Sequence, residues 1–201
     1  MIFRQTDMTL IFTANVVVLA LMEIHNGLLK SAHYAPSAHC DERPDAAIDM
    51  IVIHGISLPP GKFGTGAVEK FFCSKLDFSE HPSFSDIAEL KVSSHLFIDR
   101  QGKITQFVPF HQRAWHAGKS FFQGRERCND FSIGIELEGT DHVPYEDIQY
   151  QQLIKVIQAL MAAYPGITRE RIVGHSDIAP GRKTDPGPVF DWTQLDCVLQ
   201  Q

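Results

Sequence analysis

Residues 174–188 read GHSDIAPGRKTDPGP, a short stretch that holds three chemically capable side chains. His175 contributes an imidazole, Lys183 an ammonium group and Asp185 a carboxylate. The prolines lack a backbone donor and the glycines permit tight bends, so we expect neither a helix nor a long strand here. The polar side chains are therefore expected to converge on one point of a loop.

A second histidine stands far upstream, where His54 follows the apolar run of residues 50–53. A short run that is apolar on both faces is typical of a central strand, and His175 follows a similar run at residues 172–173. Both imidazoles are therefore expected at strand ends, beside loops. Together with Asp185 they form the ligand set of a catalytic zinc site, whose fourth position is left for water. The alternative for each histidine is a hydrogen-bonded structural role.

Hydrolysis at such a site also needs an acid/base group and a donor for the developing oxyanion. Strand alternation in residues 131–138 places Gly134 and Glu136 on one face, and the glycine leaves room for Glu136 to enter a cleft. Lys183, two residues before Asp185, is the candidate oxyanion donor. The alternatives are a solvated strand edge for Glu136 and an ordinary surface position for Lys183.

Several other polar residues are candidates for the same cleft or for a different metal site. Trp115 and His116 lie in a WHAG loop suited to lining a sugar or peptide groove, although a buried core tryptophan is the simpler interpretation. The role of His95 is open, and a purely structural zinc site would need it as a fourth ligand. A rival metal cluster lies in an irregular segment without rigid support. It consists of His33, His39, Cys40 and Asp41.

The composition indicates one soluble domain of ordinary size: 201 residues, 44% hydrophobic and 21% charged. A net charge of −6, without a Lys/Arg run, argues against a nucleic-acid partner. An anionic substrate would need locally concentrated basic residues, and the candidates are Lys91, Arg113, Arg125, Arg127 and Lys183. The 4 cysteines are expected to be free thiols in a reducing compartment. Two disulfides in a secreted protein are the alternative.

The amino-terminal segment is interpreted separately from the rest of the chain. Residues 10–22 are strongly apolar, but a span needs about 20 apolar residues, and no cleavage site of a signal peptide follows. We interpret residues 1–21 as an upstream extension and residues 22–201 as the working domain. An uncleaved membrane anchor is the alternative, and without it no membrane contact is expected.

Strand-like and helix-like segments interleave along residues 50–199. Strands are predicted at residues 50–53, 92–98, 102–108, 131–137 and 172–173, with a hairpin turn at residues 99–102. Helices are predicted at residues 65–72, 83–90, 147–164 and 191–199, and residues 23–49 are predicted to form an irregular wrap. This order favours a single mixed α/β domain with a central mixed β-sheet flanked by helices.

Five stretches carry a close resemblance to one known family: residues 54–64, 108–110, 113–118, 124–141 and 175–188. They resemble the zinc-dependent N-acetylmuramoyl-L-alanine amidases of the peptidoglycan-recognition-protein (type 2 amidase) fold. Within that family the chain is most similar to the bacterial cytosolic 1,6-anhydro-N-acetylmuramyl-L-alanine amidases of cell-wall recycling. The resemblance runs from about residue 22 to residue 192, so it leaves out residues 1–21.

The resemblance implies a role for each candidate of the metal site. His54, His175 and Asp185 would bind one Zn²⁺ per chain, Glu136 would act as acid and base, and Lys183 would stabilise the tetrahedral intermediate. The implied protein is a cytoplasmic monomer that cleaves an anhydro-muropeptide.

The resemblance also bears on substrate binding. Arg127 would hold a carboxylate of the stem peptide, for which a guanidinium fork is well suited; Lys91, Trp115 and His116 are the other candidates. Lys91 stands where the family leads us to expect arginine, and Gly55 where it leads us to expect asparagine. Two other functions stay open: an envelope amidase that acts on intact murein, reached through residues 10–22, and a non-catalytic peptidoglycan-binding module.

Overall fold

A six-stranded mixed sheet lies at the centre of the protein, as seen in a computed structural model that describes residues 22–44 and 46–196. The strands are β1 Ile24–His25, β2 Leu28–Leu29, β3 His33–Tyr34, β4 Cys40–Glu42, β5 Met50–Ile56, β6 Leu96–Ile98, β7 Ile104–Gln106, β8 Gln112–Ala114, β9 Phe121–Phe122, β10 Arg125–Glu126, β11 Ser132–Glu138 and β12 Ile172–Gly174. The α-helices are α1 Ala67–Phe72, α2 Asp147–Ala163 and α3 His175–Ile178. Short 3-10 helices are Pro82–Ile87, Cys128–Asp130, Arg169–Arg171 and Trp192–Leu195.

The central sheet has the strand order β12-β5-β11-β6-β7-β3. Its neighbours run parallel except for β6 and β7, which form the predicted antiparallel hairpin. The carboxyl ends of β12, β5 and β11 therefore meet at one edge of the sheet. In parallel α/β sheets this edge is where ligands bind. The predicted fold, a single α/β domain with a central mixed sheet, is confirmed.

One face of the sheet is covered by α2, whose predicted apolar stripe is confirmed. Leu153, Val156, Ile157 and Leu160 are all fully buried, in the same hydrophobic cluster as Ile51 and Ile53 of β5. Burying side chains of this size stabilises the fold by about 1.5–3 kcal/mol each. The register of β5 is thereby set, since a slip by one residue would expose both isoleucines.

The opposite face of β5 carries Met50 and Val52, which pack against Phe131 and Ile178. His54 is the next residue on this face, because side chains alternate along a strand. Glu136 of β11 lies directly beside it in the parallel register. The same alternation that buries the core therefore puts an imidazole and a carboxyl group side by side.

Two helix predictions are corrected by the structure. Residues 175–178 form one α-helical turn, α3, where we predicted no helix; the Asp177 carboxylate accepts a hydrogen bond of 2.7 Å from the backbone N–H of Gly174, and the first proline follows only at residue 180. Residues 83–90, predicted to be an α-helix, contain the 3-10 helix Pro82–Ile87 instead. Its serines and aspartate favour local hydrogen bonds over a regular α-helix.

Three further predictions are correct only in part. The predicted strand at residues 92–98 is reduced to β6, because the hydroxyls of Ser93 and Ser94 donate to the carbonyls of His39 and Gly134. The carboxyl-terminal helix is only the 3-10 helix Trp192–Leu195, and residues 197–199 lie outside the described residues. The irregular wrap of residues 23–49 contains β1–β4, strands too short to show a period of two.

Cys40, Cys73 and Cys128 are free thiols as predicted, whereas Cys197 lies outside the described residues. Within residues 22–44 and 46–196, none of the helices combines the length and the hydrophobicity needed to span a bilayer. Residues 1–21, and with them most of the apolar segment, belong to the part of the chain that is not described.

Candidate metal centre

His54 and His175 meet at the carboxyl edge of the sheet although they are 121 residues apart. His54 is a residue of β5, whereas His175 follows β12, whose last residue pairs with Ile53. Their Nδ1 atoms lie 3.0 Å from one another. Two ring nitrogens at this distance have facing lone pairs unless a proton or a cation lies between them.

Asp185 completes a triangle of ligand atoms. Its Oδ2 atom lies 3.0 Å from Nδ1 of His54 and 3.1 Å from Nδ1 of His175. Tetrahedral zinc with bonds of about 2.0–2.1 Å separates its ligand atoms by about 3.3 Å, so the observed spacing fits this ion. Across residues 22–44 and 46–196, this is the one group of three such side chains whose ligand atoms come this close.

The rival metal cluster is not formed. Nδ1 of His39 contacts the Val92 carbonyl, and its ring stacks on Trp115. The Asp41 carboxylate binds the guanidinium group of Arg113. These side chains are occupied by partners outside the proposed cluster, so that alternative is wrong.

The Asp185 loop is held in place by backbone and tyrosine contacts. The Ser176 N–H donates to the Asp185 carbonyl at 3.0 Å, and the Tyr145 hydroxyl donates to the Pro186 carbonyl at 2.9 Å. The same hydroxyl explains Gly55, because a Cβ atom at this position would lie 2.2 Å from it. Asparagine at residue 55 would require Tyr145 to move.

The electrostatics of the triangle suit a divalent cation. Burial lowers the pKa of His54 to about 4, so this imidazole is neutral at pH 7 and offers a lone pair. Burial alone would raise the pKa of Asp185, but hydrogen bonds with His175 and His54 outweigh it and hold the pKa far below its usual value. Neutral imidazole and ionised carboxylate are ligands that zinc accepts.

His95 does not close the site as a fourth ligand. Its Nδ1 accepts from the Gly134 N–H at 3.0 Å, and its Nε2 lies 3.1 Å from the Gln112 carbonyl. Both ring nitrogens are therefore used in holding the chain together. The arrangement offers three side chains that could bind a metal ion, which is the pattern of catalytic rather than structural zinc.

Glu136 lies in the centre of the sheet and not at a solvated edge. It is 8% exposed, and its Oε2 atom is buried without a hydrogen-bond partner among the described residues. Burial raises the pKa of Glu136 well above its usual value, and the negative charge of Asp185 raises it further. A buried carboxyl group with a raised pKa beside a metal-binding triangle is typical of an acid/base residue.

Lys183 is exposed, but its positive charge affects the pKa values of residues in the site. It lowers the pKa of Glu136 and, more weakly than other groups do, that of His54. Its ammonium group therefore interacts electrostatically with both side chains. A cation in this position is able to stabilise an oxyanion that forms between them.

Comparisons with known proteins identify the family of this chain. Residues 44–188 match the family model described as N-acetylmuramoyl-L-alanine amidase. Over 181 residues the chain is 55% identical to the 1,6-anhydro-N-acetylmuramyl-L-alanine amidase AmpD of Escherichia coli K12, covering 90% of this chain and 98% of that protein. The chain belongs to the N-acetylmuramoyl-L-alanine amidase family.

Solved structures of amidases share the fold. A crystal structure of a selenomethionine derivative of AmpD superimposes with a TM-score of 0.86 at 52% identity, covering 89% of this chain and 99% of that one. The amidase AmiD from Escherichia coli, in complex with anhydro-N-acetylmuramic acid-L-Ala-D-γ-Glu-L-Lys, gives a TM-score of 0.54 at 36% identity. That alignment covers 75% of this chain and 57% of AmiD.

Next to the metal centre of this amidase lies a basic cavity of about 430 Å³. Its lining includes Lys119, Phe121, Arg127 and Arg182. Arg182 donates to the Ala117 carbonyl at 2.7 Å, and the same carbonyl lies 3.1 Å from Nε2 of His175. The cavity therefore adjoins a candidate metal ligand, and its charged lining consists of three cationic residues and one anionic residue, Glu126.

The other substrate-binding candidates are placed differently by the structure. Trp115 is half-buried rather than in the core, and its indole N–H donates to Asp41. Lys91 is exposed on the segment that follows Pro82–Ile87 and leads to Ser93, whose N–H binds the Trp115 carbonyl. These two candidates lie on the same side of the molecule.

His116 does not line a groove, which corrects its predicted position. Only 9% of it is exposed, and its Nδ1 lies 2.9 Å from Nε2 of His54. Its ring fills the space above Gly134, which we had expected to serve Glu136. A glycine inside a buried strand marks close approach of another group, and this was the signal in the sequence for a packed ring.

Two of the basic candidates belong to the framework of the amidase. Arg113 binds both Asp41 and Asp130, and Arg125 binds Asp49 while lying 3.5 Å above the Phe131 ring. Neither guanidinium group is free for an anionic substrate.

The raised pKa of Glu136 predicts how stability depends on pH. The folded state binds this proton more tightly than the unfolded state does, so the stabilising contribution is complete below pH about 4.3 and is lost as the pH rises through the folded-state pKa. The Glu136→Gln variant cannot ionise. In protein kept free of divalent ions by a chelator, we expect the variant to gain stability over the wild type as the pH rises, by at least about 1 kcal/mol.

Urea unfolding of both proteins between pH 5 and pH 8 measures this difference. Other titrating groups, including Asp185 and His54, cancel to a first approximation because both proteins contain them. A difference in unfolding free energy that stays constant over this range would contradict a raised pKa.

Proposed function

We propose that this amidase is a zinc-dependent hydrolase of anhydro-muropeptides in cell-wall recycling. It would cut the amide bond between the lactyl group of 1,6-anhydro-N-acetylmuramic acid and the L-alanine of the stem peptide. The observation that carries the proposal is the convergence of His54, His175 and Asp185 beside the buried Glu136. The high identity to AmpD over nearly its whole length supports the choice of substrate.

His54, His175 and Asp185 would hold the zinc ion. When bound, zinc supplies Lewis acidity, which polarises a carbonyl group and makes water more acidic. The two imidazoles would bind it through Nδ1, since Nε2 of each contacts another protein group: His116 for His54, and the Ala117 carbonyl for His175. Such partners fix the orientation of ligands.

Glu136 would move the protons of the reaction. Its carboxylate takes a proton from the attacking water as a new carbon–oxygen bond forms at the lactyl carbonyl, and it then gives that proton to the alanine nitrogen as the carbon–nitrogen bond breaks. A raised pKa suits a carboxyl group that must both accept and donate a proton. Lys183 would stabilise the negative charge on the carbonyl oxygen between these steps.

The basic cavity would hold the acidic stem peptide. The Arg127 side chain is 69% exposed and pairs with Asp130, and it lines the cavity together with Lys119 and Arg182. A guanidinium group binds a carboxylate through two parallel hydrogen bonds. The AmiD relative was crystallised with a substrate that contains a glutamate in its peptide.

Arg127→Ala is expected to raise KM by about tenfold with little change in kcat, which corresponds to about 1.4 kcal/mol of substrate binding. Initial rates on an anhydro-muropeptide with a free stem carboxylate measure both constants. The matched control is Arg169→Ala, which removes another exposed arginine that pairs with an aspartate, Asp196. Equal KM values for both variants would show that Arg127 does not bind the substrate.

The proposed function is tested by substrate choice together with metal content. We expect stoichiometric zinc, and release of the stem peptide from a defined anhydro-muropeptide at a much higher rate than from intact murein sacculi. Faster cleavage of sacculi would favour the envelope amidase. Binding without cleavage would favour the non-catalytic module.

We also propose that residues 22–201 form the catalytic domain, and that it acts as a cytoplasmic monomer without a nucleic-acid or membrane partner. All the residues of the metal centre lie within this range, and so does the family match at residues 44–188. The net charge of −6 supports the exclusion of nucleic acid.

A further inference from the structure

His116 is packed between strand β11 and the ligand His54. A Cβ atom on Gly134 would lie 2.4 Å from Cγ of His116, so the ring rests directly on the strand backbone. From there its Nδ1 reaches Nε2 of His54 at 2.9 Å, and its Nε2 reaches the Ser132 hydroxyl at 3.2 Å. Both nitrogens of this buried ring are therefore engaged.

The hydrogen bonds determine which ring nitrogen of His116 and which ring nitrogen of His54 carries a proton. The Ser132 hydroxyl donates its hydrogen to the Cys128 carbonyl at 2.6 Å, so toward His116 it must act as acceptor. Nε2 of His116 therefore carries the N–H of this bond, and a neutral imidazole has only one N–H. Its Nδ1 is then an acceptor, and Nε2 of His54 must be the donor. The lone pair of His54 is left on Nδ1, which faces Asp185 and His175.

The backbone next to His116 forms a similar hydrogen bond with the second candidate ligand, His175. The carbonyl of the next residue, Ala117, accepts from Nε2 of His175 at 3.1 Å and so leaves Nδ1 of His175 for the metal. The Asn129 side-chain oxygen holds this pair of residues, accepting from the N–H of His116 at 3.1 Å and from that of Ala117 at 2.8 Å. Two consecutive residues therefore support both histidine ligands.

We propose that His116 is a positioning residue that sets the tautomer and ring orientation of His54, so that Nδ1 is offered to the metal. This inference rests on the proposed zinc site and adds a residue that does not itself touch metal or substrate. A partner of this kind typically contributes about 10–100-fold to metal affinity. Gly134 is required because any side chain there would displace the ring.

The test is the zinc dissociation constant of the folded protein, measured by competition with a chromophoric chelator. His116→Phe keeps the ring volume but removes the acceptor, and we expect about 10–100-fold weaker zinc binding. His116→Gln retains an acceptor for His54 and a donor for Ser132, and we expect it to restore affinity to within about threefold of the wild type. Zinc binding by His116→Phe within twofold of the wild type would overturn the inference.

His95→Phe is the matched control for loss of a buried histidine. His95 is fully buried and lies next to His116, with ring centroids 5.8 Å apart, but its nitrogens contact the backbone and the Arg43 guanidinium group, and no candidate metal ligand. We expect lower stability in this variant but zinc affinity within about threefold of the wild type. An equal loss of affinity in both phenylalanine variants would mean that general destabilisation, not the tautomer, is responsible.

A second measurement uses only the wild-type protein and does not depend on the folding of any variant. In the zinc-loaded state, ¹⁵N NMR of the histidine rings should show His54 protonated at Nε2, with metal bound at Nδ1. The opposite tautomer would refute the role of His116. Absence of stoichiometric zinc binding in the wild type would instead refute the proposed function, so the two failures are distinguishable.

Discussion

Asp185→Ala is expected to lose both bound zinc and turnover. Its Oδ2 atom is the one anionic ligand of the triangle, at 3.0 and 3.1 Å from the two imidazoles. Without it, only the two imidazoles remain, and a divalent cation loses the charge that compensates its desolvation. The loss of affinity should exceed the roughly 10–100-fold typical of groups outside the ligand shell. Metal analysis after gel filtration, with rates on the anhydro-muropeptide, measures both effects.

Asp86→Ala is the matched control, since it removes an exposed aspartate on the 3-10 helix Pro82–Ile87. It should keep one zinc ion per chain and wild-type turnover. Full activity in metal-depleted wild-type protein, or stoichiometric zinc in the Asp185→Ala variant, would remove the metal from the mechanism.

Glu136→Gln is expected to keep zinc and lose turnover by roughly 10²–10⁴-fold. The amide has the shape of the carboxyl group and fits the same buried position, but it cannot take up and release a proton. The wild type should also lose activity as the pH falls through the raised pKa of Glu136, since protonation removes the base. The variant should lack this acid limb. Rates over a pH series at fixed zinc content test both expectations.

Glu138→Gln provides the control on the same strand. Glu138 shares the face of Glu136 and is 3% exposed, but its carboxylate accepts from the backbone N–H groups of Gly64 and Arg100. Both of its carboxylate oxygens therefore bind loop residues, and neither is a free acceptor for the site. We expect its turnover, per folded molecule, to stay within a few-fold of the wild type. Equal losses in both variants would mean that Glu136 acts only through the fold.

Short-range patterns of apolar residues in the sequence predicted much of the fold. The apolar stripe of α2 repeats with the period of a helix, whereas β5 is indicated by a short run that is apolar on both faces, and both elements lie where these patterns predict them. The 3-10 helix Pro82–Ile87 was mistaken for an α-helix because the two differ by one residue in their hydrogen-bond spacing. Strands of two residues, such as β3, are too short to produce a pattern.

The sequence alone determined which residues have the right chemistry: two imidazoles after apolar runs, a carboxylate in a proline-rich loop, and a glutamate on an alternating strand. Only the tertiary structure decided which of them meet. His54 and Asp185 are 131 residues apart, and they come together because β12, which leads into the segment that contains Asp185, pairs with β5. The position of His116 behind His54 also depends on this strand order. A periodic pattern records which face a side chain occupies, whereas the neighbour on that face is set by contacts between distant segments.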